Sequence, residues 1–323
     1  VKAAVTGGTG VVGRSVVRHL VEEGHEVRAL ARSADSAELM TSLGAEPVPG
    51  DVLDRESLFP LVTESDWVFH VAGVNELCPK DPALMDRVNI EGTGNVLTAC
   101  REAAVGRLIH TSSAVSIGER HGAVATEESP HRGSYLSRYE KSKHQSERLL
   151  FSQAGGLDVV AVNPSSVQGP GRATGTGKLF LDMLNGRLPF LVETTISIVD
   201  IDDCARGHLL AARHGAGGRR YILSGASLGM ADALAMLSQV TGRRIQARFI
   251  PGWLAAAGAG MVQLGSRLVG RDPRVCQEMI RVMRAGHVYD GSRATRELGL
   301  EYTPIDDTVR RTIDWFRSQG LLT

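Results

Sequence analysis

Tyr139 and Lys143 stand four positions apart in the stretch Tyr139-Glu140-Lys141-Ser142-Lys143. On a helix this spacing puts both side chains on one face, one turn from each other. A phenol with its ordinary pKa near ~10 is a poor base at neutral pH. A neighbouring ammonium favours the phenolate, so the pair can give a proton to a carbonyl oxygen or take one from an alcohol. A third group comes from His110-Thr111-Ser112-Ser113-Ala114, at the end of a predicted strand, where Ser113 would hold the substrate oxygen by a hydrogen bond. Tyr135 also precedes the lysine, but only Tyr139 has the helical spacing. Standing alone, a tyrosine and a lysine so spaced read as a chance surface pair. The strand-end serine, and the turn described next, reverse that preference.

The turn lies at the start of the chain. An apolar run ends in Thr6-Gly7-Gly8-Thr9-Gly10-Val11-Val12-Gly13, and apolar residues then recur at Val12, Val16, Val17 and Leu20. The order is strand, Gly-rich turn, helix, which suits a pyrophosphate lying on the helix N-terminus. Gly7, Thr9, Gly10, Val11, Val12 and Gly13 are the candidate contacts. A second strand signal over residues 25–31 supplies the context that the motif needs. It ends in Arg32-Ser33, where an acidic residue would favour NAD. A guanidinium makes charge-assisted bonds to a phosphate, so NADP(H) is the preferred cofactor, with NAD(H) possible. Asp51-Val52 follows a short third strand signal and can accept a bond from an adenine amino group. Val71-Ala72-Gly73 follows the next, with small residues that let a dinucleotide lie against the backbone.

These residues need strands that end beside one another. Strand signals occupy residues 2–6, 25–31, 67–71, 107–112 and 158–162, with helical patterns between them, notably over 85–104 and 139–153. Such alternation predicts a parallel sheet wound on both faces, with ligands beyond the carboxyl ends of its strands. After Asn163-Pro164 the alternation weakens. Residues 169–178 read as a Gly- and Thr-rich loop, whose Arg172 and Lys178 meet either a substrate anion or solvent. Further strand signals fall at 196–199, 219–223 and 245–250. Asp203 and Ser227 are candidate helix caps. Residues 252–284 look helical and apolar, with Trp253, Met261, Leu264, Leu268 and Met279 lining the substrate domain or its core. Helix signals follow at 292–298 and 305–316, where Trp315 and Phe316 dock the tail.

The chain has 323 residues, 42% hydrophobic and 22% charged, enough for a sizeable core. Its 36 basic and 36 acidic residues balance, which argues against a polyanion-binding face and so against nucleic acid. Cys78, Cys100, Cys204 and Cys276 have neither metal-ligand nor disulfide-framework spacing. Four free thiols and a cytoplasmic location are expected, with no signal peptide, no stable membrane span and no metal.

The whole pattern resembles the extended short-chain dehydrogenases/reductases of the NAD(P)-dependent epimerase/dehydratase superfamily. The resemblance rests on residues 6–13, Asp51-Val52, His70-Val71-Ala72-Gly73, Asn89 within 88–93, Ser112-Ser113-Ala114, residues 139–143, Asn163-Pro164, residues 169–172 and residues 198–203. Within the superfamily the chain is most similar to the dihydroflavonol-reductase-like branch. The resemblance implies an α/β fold, a Rossmann-like doubly wound parallel sheet with a smaller, discontinuous C-terminal substrate domain. The dinucleotide-binding domain would take residues 1–168 and 196–224, and the substrate domain residues 169–195 and 225–323. Ser113 would be the catalytic serine and Tyr139 the general acid/base. Lys143 would lower the tyrosine's pKa and bind the nicotinamide ribose. Asn89 would position the helix and a relay water, and Pro164 and Val167 would border the nicotinamide. The implied activity is an NADP(H)-dependent oxidoreductase acting on a small-molecule carbonyl or secondary alcohol. A sugar or sugar-nucleotide epimerase or dehydratase that retains its cofactor would use the same residues. A non-catalytic nucleotide sensor would be expected to lack the tyrosine or the lysine, and this chain has both. A homodimer through the helices around 85–104 and 139–153 is implied by the resemblance alone.

Overall fold

A computed structural model of the protein describes residues 1–79, 81–268 and 276–322. Seven parallel strands form the central sheet: β1 (Lys2–Thr6), β2 (Glu26–Ala31), β3 (Glu46–Pro49), β4 (Trp67–His70), β5 (Arg107–Thr111), β6 (Asp158–Pro164) and β7 (Arg220–Leu223). Their spatial order is β7-β6-β5-β4-β1-β2-β3. The chain builds outward from β1 to β3, then returns to the other side of β1. The crevice where ligands bind in such sheets therefore opens between β1 and β4. Register aligns Thr6 with His70, His70 with His110, and Thr111 with Val162, so the strand ends that carry the candidate residues stand in one row.

Both faces of the sheet are covered, which is why its strands are continuously apolar rather than alternating. On one face Val5 and Phe69 pack with Val16, Val17 and Leu20 of the helix Val11–Glu22 and with Leu209 of the helix Ile201–His214. On the other, Ala4, Val68 and Leu108 pack with Val96, Leu97 and Leu150. A separate core joins Phe180, Met183 and Leu191 to Met230, Leu234, Val309 and Ile313. It lies around a small sheet in which Thr195–Asp200 pairs with Ser166–Gln168 and Ala226–Gly229.

Several expectations need correction. The strand expected at 245–250 shrinks to Arg248–Phe249, paired with Phe190–Leu191. Asp200 caps the helix that follows it, accepting from the Asp202 N–H at 2.8 Å, while Asp203 accepts from the amide and hydroxyl of Thr303. Two acids three residues apart look alike as caps, and only the strand's exact end chooses between them. Ser227 bonds to Ser197 across the small sheet at 2.7 Å, and the next helix starts uncapped at Gly229. The apolar run after 251 forms two helices, Gly252–Leu268 and Gln277–Ala285. Trp253 and Met261 turn outward, 68% and 72% exposed, instead of lining a core, while the side chains of Leu264 and Leu268 lie outside the described residues. The expectation of four free thiols fails as well. Cys78 and Cys276 form a disulfide, their Cα atoms 5.9 Å apart and 198 residues apart in sequence. Only Cys100 and Cys204 are free thiols, and both are buried. No spacing rule could find a pair that the fold alone brings together.

The C-terminal helix Ile305–Ser318 is held by its buried face, with Phe316 completely inaccessible. Replacing Phe316 with Ala is expected to cost about 3–5 kcal/mol, read as a lower urea midpoint at unchanged m-value.

Candidate active site

The Gly-rich turn is shaped by close approach. Gly7 has φ +75°, and a Cβ there would stand 2.4 Å from the Ala72 amide nitrogen. A Cβ on Gly13 would stand 2.0 Å from the Gly7 carbonyl oxygen. The helix Val11–Glu22 can therefore sit against the turn only without side chains at these places. Its N-cap, Gly10, offers no side-chain oxygen, and its first turn holds no acid. The N–H groups of Val11, Val12 and Gly13 thus begin a helix with no carboxylate to compete for them, the environment an anionic pyrophosphate requires. Thr9 and Gly10 are the exposed residues of the same turn. Thr6, just before the turn, donates to or accepts from His70 Nδ1 at 2.8 Å and accepts from the Ala72 amide at 3.3 Å, locking β1 to β4.

Farther along the row, Arg32 stands 70% exposed with its guanidinium 4.0 Å from Asp51. The Ser33 hydroxyl caps the helix Ala34–Ser42, accepting from Ser36 N–H at 3.3 Å. Asp51 folds its own turn, accepting from the Leu53 amide at 2.9 Å, and Val52 is buried beneath it. Val71 and Ala72 continue β4, and Gly73 carries the chain past two polar groups. A Cβ on Gly73 would lie 3.2 Å from Asn89 Oδ1 and 3.4 Å from Lys143 Nζ. The bare backbone here leaves a cradle that fits a dinucleotide's nicotinamide end.

The helix Arg138–Gln153 carries the tyrosine and the lysine. Ser137 caps it by accepting from the Glu140 amide at 3.1 Å, and Glu140 reaches back to the Leu136 amide at 2.9 Å and pairs with Arg132. This double fastening sets the helix start one residue before Tyr139 and so fixes where the phenol points. The Ser113 hydroxyl acts on the phenol, holding its pKa down. The Ser112 hydroxyl turns away to Ser116 at 3.3 Å. Lys143 is buried and donates from Nζ to the Thr111 carbonyl at 2.7 Å, the last carbonyl of β5. Asn89 sits in a π-turn, Arg87–Glu91, between the helices Pro82–Asp86 and Gly92–Glu102. Its amide donates to Val74 O at 3.0 Å and Ser142 Oγ at 2.8 Å, and its oxygen accepts from Val74 N–H at 2.7 Å. It ties the loop after β4 to the tyrosine's helix. Pro164 ends β6, and Val167 is buried in the next short strand, Ser166–Gln168.

Electrostatics in the site follow from burial. Desolvation raises the Tyr139 phenol, while the Ser113 hydrogen bond and the charge of Arg172 pull it back. Desolvation lowers Lys143 to about 8, with Glu147 opposing. The Lys143 ammonium donates to the Thr111 carbonyl, and the Arg172 guanidinium is a second cation whose charge favours the phenolate. Arg172 comes from the loop after Gly169, and its buried Nε has no hydrogen-bond partner among the described residues. Lys178 pairs instead with Asp182 on its own helix.

Sequence reasoning missed Glu147. It accepts from Ser116 at 3.0 Å and Asn163 at 2.7 Å and pairs with Arg220, binding the tyrosine's helix to β6 and β7. The signal was available, because residues 139, 143 and 147 share one helical face. Beneath the row lie three buried histidines. His70 also bonds Thr93 at 3.0 Å, His208 bonds Thr111 at 2.9 Å, and His110 packs against His70 at 5.3 Å between ring centres. Among the described residues no cluster of His, Cys, Asp or Glu could hold a metal ion.

With this geometry in view, residues 3–224 match the model of the NAD dependent epimerase/dehydratase family. A Synechocystis protein named for dihydroflavonol 4-reductase is 34% identical, over 98% of this chain and 94% of its own. The sterol demethylase protein B of Methylococcus capsulatus is 30% identical, over 98% and 99%. The crystal structure of gox2253 superposes with a TM-score of 0.87 at 35% identity, covering 100% of this chain and 99% of that one.

Burial lowers His70 to about 3 and His208 to about 4, from an ordinary 6.5. The unfolded chain therefore takes up these protons first as pH falls. Their contribution to stability is complete above about 6.5 and is lost progressively on acidification. The urea midpoint should fall between about pH 6.5 and pH 4, and His208→Gln should flatten that slope. A midpoint independent of pH over this window would contradict the assignment.

Proposed function

Since the chain belongs to the NAD-dependent epimerase/dehydratase family, we propose that it is an NADP(H)-dependent oxidoreductase acting on a ketone, aldehyde or secondary alcohol. The observation that carries this reading is the convergence of Ser113, Tyr139 and Lys143 at the carboxyl ends of β5 and its neighbours, beside the bare backbone of Gly73. When bound, the nicotinamide supplies the hydride to the carbonyl carbon or accepts it from the alcohol. The Ser113 hydroxyl donates to the substrate oxygen and fixes its place. The Tyr139 phenol gives that oxygen a proton in reduction and takes one in oxidation. The charges of Arg172 and Lys143 favour the phenolate left behind, and Lys143 also holds the nicotinamide ribose. Asn89 acts as a positioning residue through Ser142 and Val74.

Arg32 is the residue that would favour the phosphorylated cofactor. Its guanidinium is exposed and only loosely matched by Asp51, so it is free to bind an added phosphate. Arg32→Asp is expected to weaken NADPH binding at least about tenfold while sparing NADH, as measured by titrating both. Unchanged NADPH affinity would sink the preference.

The names of the Synechocystis and Methylococcus relatives, for a dihydroflavonol and a sterol, point to bulky multi-ring substrates. The same site would serve an epimerase that keeps its cofactor. Net consumption of added NADPH with ring ketones supports the reductase, and co-purifying NAD without net turnover supports the epimerase. Tyr139→Phe should lower kcat by roughly 10²–10⁴ with NADPH affinity intact. Near-normal turnover in that variant would refute the acid/base role.

A further inference from the structure

The helix Gly252–Leu268 wears its polarity the wrong way round. Its small residues face inward: Ala259 is buried, and Gln277 of the helix Gln277–Ala285 donates to the Ala256 carbonyl at 3.0 Å. Its large apolar residues face out. Trp253, Leu254 and Met261 are exposed, at spacings that put them on one stripe with the exposed Ala257 between them and Val262 on its flank. A contiguous patch of this kind on a folded chain marks a contact surface.

The charge around it is one-sided. Residues 241–286 contain eight arginines, no lysine and two acidic residues, in a chain whose overall charge is zero. Arg243, Arg244, Arg248, Arg281 and Arg284 are exposed, and among the described residues none of the five forms an ion pair. The stem of Arg284 lies against Gly252, at the start of the exposed stripe. An apolar stripe with Trp and Leu, rimmed by cations and free of acids along its length, has the composition of a helix that lies in a membrane interface.

We propose that this face docks on an anionic lipid surface, with the apolar stripe entering the headgroup boundary and the arginines meeting lipid phosphates. Among the described residues no helix is long and apolar enough to cross a membrane, so the attachment is to one leaflet. A second copy of the chain fits the face less well, because a two-fold axis through the stripe would set arginines against arginines. The disulfide bears on where the face sits. Cys276 begins the second helix of the pair, and Cys78 lies in the loop that follows Val71-Ala72-Gly73. The docking face is thus tethered to the end of the sheet where the site opens, and a lipid-dissolved substrate would meet the mouth from the membrane side.

Flotation of the full chain with phosphatidylcholine vesicles, with and without phosphatidylglycerol, tests this. Binding is expected to the phosphatidylglycerol vesicles and to weaken with added salt. Trp253→Glu and Met261→Glu should each reduce it at least about tenfold, with NADPH binding retained as the check on folding. Absence of binding to phosphatidylglycerol vesicles at low salt would overturn the proposal, as would equal binding to phosphatidylcholine alone. Wild-type binding by the two variants would also overturn it. So would a dimer in solution that Met261→Glu dissociates while vesicles are ignored.

Discussion

A buried ammonium must have its protons accepted, or it loses its charge. Lys143 meets that demand with the last carbonyl of β5, 2.7 Å away, and its pKa near 8 records the tension between burial and charge. The bond does more than solvate a cation. It pins the helix Arg138–Gln153 over the strand that ends in Ser113, so the phenol one turn earlier comes within reach of the serine hydroxyl. Glu147, one turn later, fastens the same helix to β6 and β7 through Asn163 and Arg220. Three residues on one helical face therefore set where the chemistry happens.

Much of this was legible in the residues themselves. Glycines that must lie against backbone, a serine at a strand end and a tyrosine four before a lysine each leave a local mark, because their spacing follows the period of the element that carries them. The parts that were not legible depend on partners with no such mark. The acceptor for Lys143 is a backbone carbonyl, which no side-chain pattern reveals. Whether Asp200 or Asp203 caps a helix turns on a shift of three residues. The apolar run after 251 was read as interior because composition says how greasy a helix is, whereas the neighbours available decide which face is covered. Here the small residues found a partner helix and the large ones did not.

The two halves of the molecule divide the work of an oxidoreductase of the extended short-chain type. The seven-stranded sheet is buried on both faces, and Ser113 follows the end of one of its strands, as suits a group that must be placed within fractions of an ångström. The Gly-rich loop beyond β6 brings the charge of Arg172 to bear on the phenol. That part of the fold can vary without disturbing the row of strand ends.

The link between Cys78 and Cys276 encloses most of the chain, the Gly-rich loop and the helix Arg138–Gln153 included. Any single cut in the backbone between those two positions leaves one covalent molecule. A protease that nicked the loop carrying Arg172 would release no fragment until a reductant opened the sulfur bridge, so a denaturing gel run without thiol would show the clipped protein still in one piece.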